Sequence, residues 1–569
     1  MRAAGRPPQP AFLPLPTAFS PSHPDVSAWA APSASSWTPG ASAALSRRCR
    51  QLLAAPRGRP RPRPAGGAAH PPARVAAPAM ASADPYGSPA DDAAVSGRAP
   101  GFTADELAAS TLHLYNTMTR TKDVFVPFGP PAVTFYSCGP TVYDRAHIGN
   151  FRAFLVYDVA KRWLTARGYA VNHVMNLTDV DDKIIAKVSR DGVGGSLADA
   201  SALTHKYADA FFADLAKLNV VPATTYPRAT DHIPEMEDLI GGLLRKGVAY
   251  EAGGSTYFSV DAFPGYGELA RLPPPSQTLT PTTDGGDGNG AAAVDADEYD
   301  RGDARDFALW KAWKPADGGV VWASPTLGRG RPGWHIECTC MALKYLGTTI
   351  DIHGGGVDLV FPHHENERAQ AEACTGALYV RTWLHNAFVT IGGDDDKMSK
   401  SLGNWVSLDD VPPRAFRWLV VVAAYRSPLA FSAATVKAAS RTVRRLDGVR
   451  AKLADAAAAA PVGAADGTVD AGVAAAIASA RARFVAAMDD DLNTPRAAAA
   501  LFGLVGAAEK ALKRGGLSPP SAAAVDACLA DFDVVFGIAY TPPVEGAAAA
   551  AAASGGGRPP PTGAWPLRT

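Results

Sequence analysis

Apolar and polar positions alternate in two rhythms through the first half of the globular region. Val133 to Tyr136 is a short apolar, aromatic run that predicts a buried strand, and Gly139-Pro140 after it predicts a turn. Phe151, Leu155, Val159 and Trp163 then recur every four residues, which marks the apolar face of a helix opening near His147 to Asn150. Tyr169 to Leu177 predicts a second strand, and Tyr207, Phe211, Leu215 and Leu218 share one face of a further helix. Strands alternating with helices of this length predict an α/β fold built on a doubly wound, parallel, Rossmann-like sheet. The loop between the first strand and its helix is where such a sheet binds phosphate, because free backbone N–H groups and the helix dipole both favour an anion there.

Residues 228–335 break that rhythm and read as an insertion within the sheet. A helix from Ile233 to Lys246 leads to a short strand from Thr256 to Val260, then to Pro273-Pro274-Pro275 and a Gly/Asp/Ala tract that predicts a disordered loop over about 273–303. Order is expected again at Asp306 to Trp310. Gly333 to Cys340 opens a helix, Ile350 to Gly356 is a strand ending in a glycine loop, and Pro362 to Glu367 opens another helix. A strand from Ala387 to Ile391 precedes the polar loop Asp394-Asp395-Asp396-Lys397-Met398-Ser399-Lys400-Ser401. Beyond 405 the pattern is helical throughout, in blocks near 407–455 and 470–538, with Asn493 or Thr494 as N-cap and Pro495 at the first helical position. The expected plan is a sheet domain in two halves, 112–227 and 336–395, a region 396–430, a helical bundle 431–540 and a disordered tail 541–569.

Composition adds a leader to this picture. Residues 1–83 hold ten Arg, no Lys and a single acidic residue, Asp25, in a Pro/Ala/Ser-rich background that cannot build a core. That suits an organellar transit peptide, of plastid or mitochondrion, although plain disorder has the same composition; Met80 offers a second start for a cytosolic form. The remainder carries 45 basic and 54 acidic residues, a net charge of −9, so any basic surface for nucleic acid must be local. No charge-free run of about 18 apolar residues occurs, so no transmembrane helix and no membrane partner are expected. Six irregularly spaced Cys in 569 residues do not suggest a disulfide framework.

Several positions offer chemistry. Cys138 closes the first strand and His147-Ile148-Gly149-Asn150 opens its helix; taken singly, the first also suits a small buried hydrophobe and the second a helix start. Asp179, Asp181 and Asp182 can form a Mg²⁺ site, a substrate-amine site or a helix cap, the cap being favoured. His363 and Glu367, four apart, share a helix face, and with Cys138 and Cys338 they can supply two thiolates, an imidazole and a carboxylate to zinc; capping by Glu367 and core packing by the cysteines is the alternative. Lys397 and Lys400 can follow a polyphosphate or simply be solvated.

Together these parts are specific. His147-Ile148-Gly149-Asn150 and Lys397-Met398-Ser399-Lys400-Ser401 resemble the two signatures of class I aminoacyl-tRNA synthetases, with Asn150 in place of the first motif's final His. Cys138 to Asp144, Asn176 to Lys183, Gly333 to Cys338, Asp351 to Gly356 and Phe361 to Glu367 resemble, in order and identity, the cysteinyl-tRNA synthetase family over about 112–540. The resemblance implies ATP-dependent ligation of L-cysteine to tRNA-Cys through cysteinyl-adenylate. A less favoured alternative is a cysteine ligase passing the same adenylate to a small-molecule amine.

The resemblance also implies residue roles. His147, Gly149, Asn150, Lys397 and Lys400 would bind ATP, with His147 and the two lysines catalytic and Mg²⁺ travelling with the nucleotide. Cys138, Cys338, His363 and Glu367 would hold one Zn²⁺ that selects the substrate thiolate, and Thr178, Trp334 and His353 would line the amino-acid pocket. His335 and Cys340 are left as structural. Residues 396–430 would contact the tRNA stem, no editing domain is expected, and a monomer is favoured. A small basic anticodon-reading module is implied after the bundle, yet Gly537-Ile538-Ala539-Tyr540 runs straight into Thr541-Pro542-Pro543. Either coding sequence is missing there, or tRNA is gripped by its acceptor stem and the bundle.

Overall fold

The computed structural model of the chain describes residues 101–189, 195–272, 305–391, 405–459 and 468–542. The leader over 1–83, the tract over 273–303, the Lys397/Lys400 loop and the tail from 543 lie outside the described residues.

A short helix α1 (Ala104–Ala108) precedes the hairpin β1 (His113–Asn116) and β2 (Thr121–Val124). The first sheet half follows as β3 (Ala132–Ser137), α2 (Ile148–Ala166) and β4 (Ala170–Met175), then helices α3 (Asp182–Val188), α4 (Leu197–Lys217) and α5 (Ile233–Arg245). Next come β5 (Ala249–Ala252), β6 (Ser255–Phe258), β7 (Phe307–Ala312), β8 (Trp322–Ser324) and β9 (Gly328–Pro332). The second half is α6 (Trp334–Leu346), β10 (Ile350–Gly356), α7 (Glu365–Thr375), β11 (Val380–Asn386) and β12 (Val389–Ile391). The remainder is α8 (Pro413–Val421), β13 (Leu429–Phe431), α9 (Ala433–Ala458), α10 (Ala471–Met488), α11 (Thr494–Lys513) and α12 (Pro519–Phe536).

The central sheet has strand order β11-β10-β3-β4, all parallel. Successive side chains of β3 serve opposite faces: Val133 and Phe135 join the core that includes α2 and the bundle, and Tyr136 joins the core shared with α5 and α6. Both faces are therefore covered, which is why β3 is a near-continuous apolar run. The chain passes from β3 outward to β4 and later returns to the other flank as β10. The gap between β3 and β10 is thus the topological switch point, where such sheets bind ligands beyond their carboxyl ends.

The insertion is a five-stranded antiparallel sheet, β5-β6-β7-β9-β8. Only β6 was read as a strand from the sequence, with a return of order at β7; β5, β8 and β9 are four, three and five residues long and lack a clear alternating pattern. Helix α5, read as part of the insertion, buries Ile233, Met236, Ile240 and Leu243 in the same core as Val174 of β4 and Ile336 of α6.

Four expectations need correction. Ordered structure begins before Leu112: Thr103 caps α1, and Phe102 is buried, stacked on Phe484 and Phe532. The stretch after 405 is not helical throughout, since β13 pairs in parallel with β12. Gly354 to Gly356 belong to β10 rather than to a loop, paired with Leu384 to Asn386. Asn493 is the N-cap of α11, its side chain accepting from the Arg496 N–H, so Thr494 rather than Pro495 is the first helical residue. Helix α10 is long and apolar enough by composition to span a membrane, yet its Arg481 is buried and paired with Glu106 and Asp531.

Candidate functional site

At the switch point the chain brings together side chains from three places. Cys138 leaves the end of β3, Cys338 lies in the first turns of α6, and His363 and Glu367 flank the start of α7. Their donor atoms all lie within 4.8 Å of one another, and all four residues are buried. His363 Nε2 sits 3.1 Å from Glu367 Oε1, and Cys138 Sγ sits 3.6 Å from the same oxygen. Two sulfurs, one imidazole and one carboxylate converging out of water form a donor set that fits a metal ion of the zinc type.

Surrounding groups orient these donors. Glu367 Oε2 accepts from the Tyr379 hydroxyl at 3.1 Å and lies 3.0 Å from His353 Nε2, leaving Oε1 turned to the cluster. His363 Nδ1 is 2.8 Å from His335 Nδ1, and the Trp334 ring stacks on His363 with centroids 4.3 Å apart. Behind Cys138 runs a polar chain: Sγ to His364 Nε2 at 3.3 Å, His364 Nδ1 to His385 Nε2 at 2.8 Å, and His385 Nδ1 to Thr117 Oγ1 at 2.7 Å. Such second contacts fix ring orientation and ligand basicity at metal centres. The glycines of β10 make room for them: a Cβ on Gly355 would lie 2.2 Å from His364 Cε1, and one on Gly354 2.9 Å from the Tyr157 ring.

Electrostatics prepare the donors for a cation. Despite burial, which opposes it, the neighbouring His353 and His363 hold the Glu367 carboxyl well below its usual range. Burial works against charge on His363 too, but Cys338 and Glu367 lift its pKa to about 10. Burial raises both thiols; for Cys338 this is overcome by the hydrogen bond from Cys138 and by His363, which bring it to about 6. Cys138, by contrast, is pushed up by burial and by the adjacent Cys338. The pair therefore shares a proton that a metal would displace.

The other positions singled out in the sequence fall as follows. His147 is the N-cap of α2, and Asn150 turns its side-chain oxygen back to accept the His147 N–H at 3.1 Å. Gly149 lies in the first turn of α2. Thr178 is buried, and Asn176 ties it to the Cys138 loop by donating to Thr178 Oγ1 at 3.1 Å and accepting from Gly139 N–H at 2.9 Å. Trp334 is 37% exposed, at the mouth of the cluster. His353 is fully buried behind Glu367. Asp181 caps α3, Asp179 accepts from Thr230, and Asp182 pairs with Lys311 and Arg331, so protein groups engage all three. Lys397 and Lys400 lie outside the described residues.

Cys340 packs away from the cluster, its thiol pushed up by burial to about 12. His335, left as structural from sequence, instead touches His363. His364 lies within the motif Phe361 to Glu367, where the sequence reading gives it no role. Tyr379 and His385 carry no local signal at all.

Comparison with known proteins agrees with this geometry. Residues 124–441 match the family of tRNA synthetases class I (C) catalytic domain, and residues 483–540 match a DALR domain. The fold resembles that of LeuRS from Agrobacterium radiobacter K84 in a ternary complex, with a TM-score of 0.52 at 11% identity over 72% of this chain and 85% of that one. Sheet, insertion and helical C-terminal region thus define a class I aminoacyl-tRNA synthetase.

Its branch follows from closer relatives. The chain is 42% identical to Cysteine--tRNA ligase of Limosilactobacillus fermentum over 75% of its own length and 87% of the relative's. It is 44% identical to Cysteine--tRNA ligase of Desulforudis audaxviator over 69% and 78%. The chain belongs to the cysteinyl-tRNA synthetase family.

Proposed function

We propose that this chain ligates L-cysteine to tRNA at the expense of ATP, and that the buried tetrad selects cysteine by holding zinc. The observation that carries the reading is the convergence of Cys138, Cys338, His363 and Glu367 within 4.8 Å at the switch point. When bound there, zinc supplies a soft Lewis acid that favours a thiolate over a hydroxyl. A purely steric pocket separates near-isosteres by only about a hundredfold, which is too little to tell cysteine from serine.

The chain's own residues do the rest. Trp334, half-exposed above His363, covers the mouth of the cluster and excludes water. Thr178, tied through Asn176 to the Cys138 loop, sets the pocket wall. The first turn of α2 presents its positive dipole end to the ATP phosphates, with His147 at its cap. Lys397 and Lys400 are assigned to neutralise charge on the departing pyrophosphate. The test is charging of tRNA-Cys by the purified chain, with zinc measured on the same sample. Charging of cysteine but not serine by a zinc-loaded chain is expected, and pyrophosphate exchange without any charging would count against ligation to tRNA.

For tRNA, the outer face of α9 offers a local basic surface on a region, 84–569, that is acidic on balance. Lys437, Arg441, Arg444 and Lys452 are exposed there and make no ion pair among the described residues, whereas Arg445 and Arg450 turn to Glu509 and Asp526. The four extend about 22 Å along the helix at 1.5 Å per residue, enough to follow several phosphates. Replacing Lys437, Arg441 and Arg444 with Gln is expected to raise the KM for tRNA about tenfold and to flatten its salt dependence, leaving pyrophosphate exchange unchanged. An unaltered salt slope would remove tRNA from this face.

A further inference from the structure

The phosphate-facing end of α2 is attached to a distant part of the chain. Ile148 N–H donates to the Val406 carbonyl at 3.1 Å, and His147 forms an antiparallel bridge with Ser407. Beside this junction lies a closed ring of charged groups. Arg145 Nη1 is 2.5 Å from Asp409 Oδ2, and its Nη2 is 3.2 Å from Asp214 Oδ2. Lys217 Nζ is 3.0 Å from Asp214 Oδ1 and 2.8 Å from Asp409 Oδ1. Two cations and two carboxylates thus join the loop before α2, the end of α4 and the turn Leu408–Asp410.

That turn is itself held to Ser407, whose hydroxyl accepts from the Asp409 N–H at 3.3 Å and whose N–H donates to Asp410 Oδ2 at 3.1 Å. Whatever fixes Asp409 therefore fixes Ser407, and through the bridge His147.

We propose that the Arg145–Asp214–Lys217–Asp409 ring positions His147 and the first turn of α2 for ATP. Its charges balance, and both terminal nitrogens of Arg145 are engaged within it. The ring therefore works by geometry rather than by lending charge to phosphate. Lys217's hydrogen bond, with Arg145 adding to it, holds the Asp409 carboxyl below its usual range, so that carboxylate stays charged at neutral pH. Arg145 and Asp409 are 38% and 36% exposed, which limits what their pair adds to global stability but leaves it open to screening by salt. Small displacements of a binding group are costly when catalysis is mostly alignment.

The inference rests on the proposed activation of cysteine by ATP, so pyrophosphate exchange by the full wild-type chain is the control. Asp409→Asn, which keeps shape and removes charge, is expected to lower kcat/KM for ATP about tenfold, equivalent to ~1.4 kcal/mol. The KM for cysteine, zinc content and thermal midpoint should stay at wild-type values. Arg145→Gln should do the same, and the double variant should lose no more than either single one. Asp409→Glu should recover part of the loss. Additive losses, equal losses for cysteine and ATP, or an unchanged ATP dependence would overturn the ring's role while leaving the proposed function standing. No exchange by the wild-type chain would overturn the function itself.

Discussion

His363→Ala is expected to strip the chain of zinc and, with it, of its ability to tell cysteine from serine. The imidazole is the only nitrogen among the four donors that converge at the switch point, and its Nε2 lies 3.1 Å from Glu367 Oε1. Removing it leaves three donors around a buried space, with the Glu367 carboxylate still held by His353 and Tyr379 but short of one partner. Loss of a group that merely supports a metal ligand costs about 10- to 100-fold in affinity, so loss of the ligand itself should exceed that. The expected result is zinc content near background after dialysis against a mild chelator, measured by mass spectrometry. Cysteine binding should weaken in parallel, and the preference for cysteine over serine in pyrophosphate exchange should collapse. A variant that kept stoichiometric zinc, or a zinc-free preparation with full selectivity, would sink the proposed role of the tetrad.

The second large effect falls on stability, away from the site. Asp158 of α2 is completely buried between two arginines: its Oδ2 lies 2.9 Å from Arg162 Nε and 2.5 Å from Arg417 Nη2, and its Oδ1 accepts the Val221 N–H at 2.8 Å. The arginines in turn hold the end of α12. Arg417 donates to the Phe536 carbonyl at 2.7 Å and Arg162 to the Val534 carbonyl at 3.0 Å. Cations at a helix C-terminus oppose the negative end of its dipole, so this cluster latches the bundle onto the sheet domain.

Asp158→Ala removes the carboxylate that both buried guanidinium groups share. Breaking a buried pair in this way costs about 3–5 kcal/mol, and that loss is the expected shift in denaturant unfolding. A shift below ~1 kcal/mol would show that the arginines find other partners or water. The pH dependence has a definite sign. Burial works to raise the Asp158 carboxyl, but the two arginines win and hold it below the ordinary aspartate range. Its contribution is complete above that range and is lost as the pH falls through the folded-state value.

Much of the fold was legible because its causes are local. The buried strand β3, the four-residue period of α2 and the start of α6 after Gly333 are written in neighbouring residues. Where reading failed, the deciding contacts were remote. The three-residue strand Leu429–Phe431 exists because Val389–Ile391 offers an edge beside it. The glycines of β10 suggested a loop for ligand approach, yet they are strand residues that clear space for His364 and Tyr157. Asp158, Arg162 and Arg417 would each read as solvated helix charges, and only packing places them in the core.

By itself the sequence determined the alternation that makes a parallel sheet, the chemical identity of the four donors, and the motif order that marks the family. These are properties of residue type and spacing, and folding does not alter them. Tertiary structure alone decided that Cys138, Cys338, His363 and Glu367 meet, since β10 had to pair with β3 to form the switch point and carry α6 and α7 to its rim. It also decided which histidines stand behind the donors and that Arg145 and Asp409 close a ring. A contact between residues far apart in the chain depends on how every intervening element packs, and no local pattern contains that information.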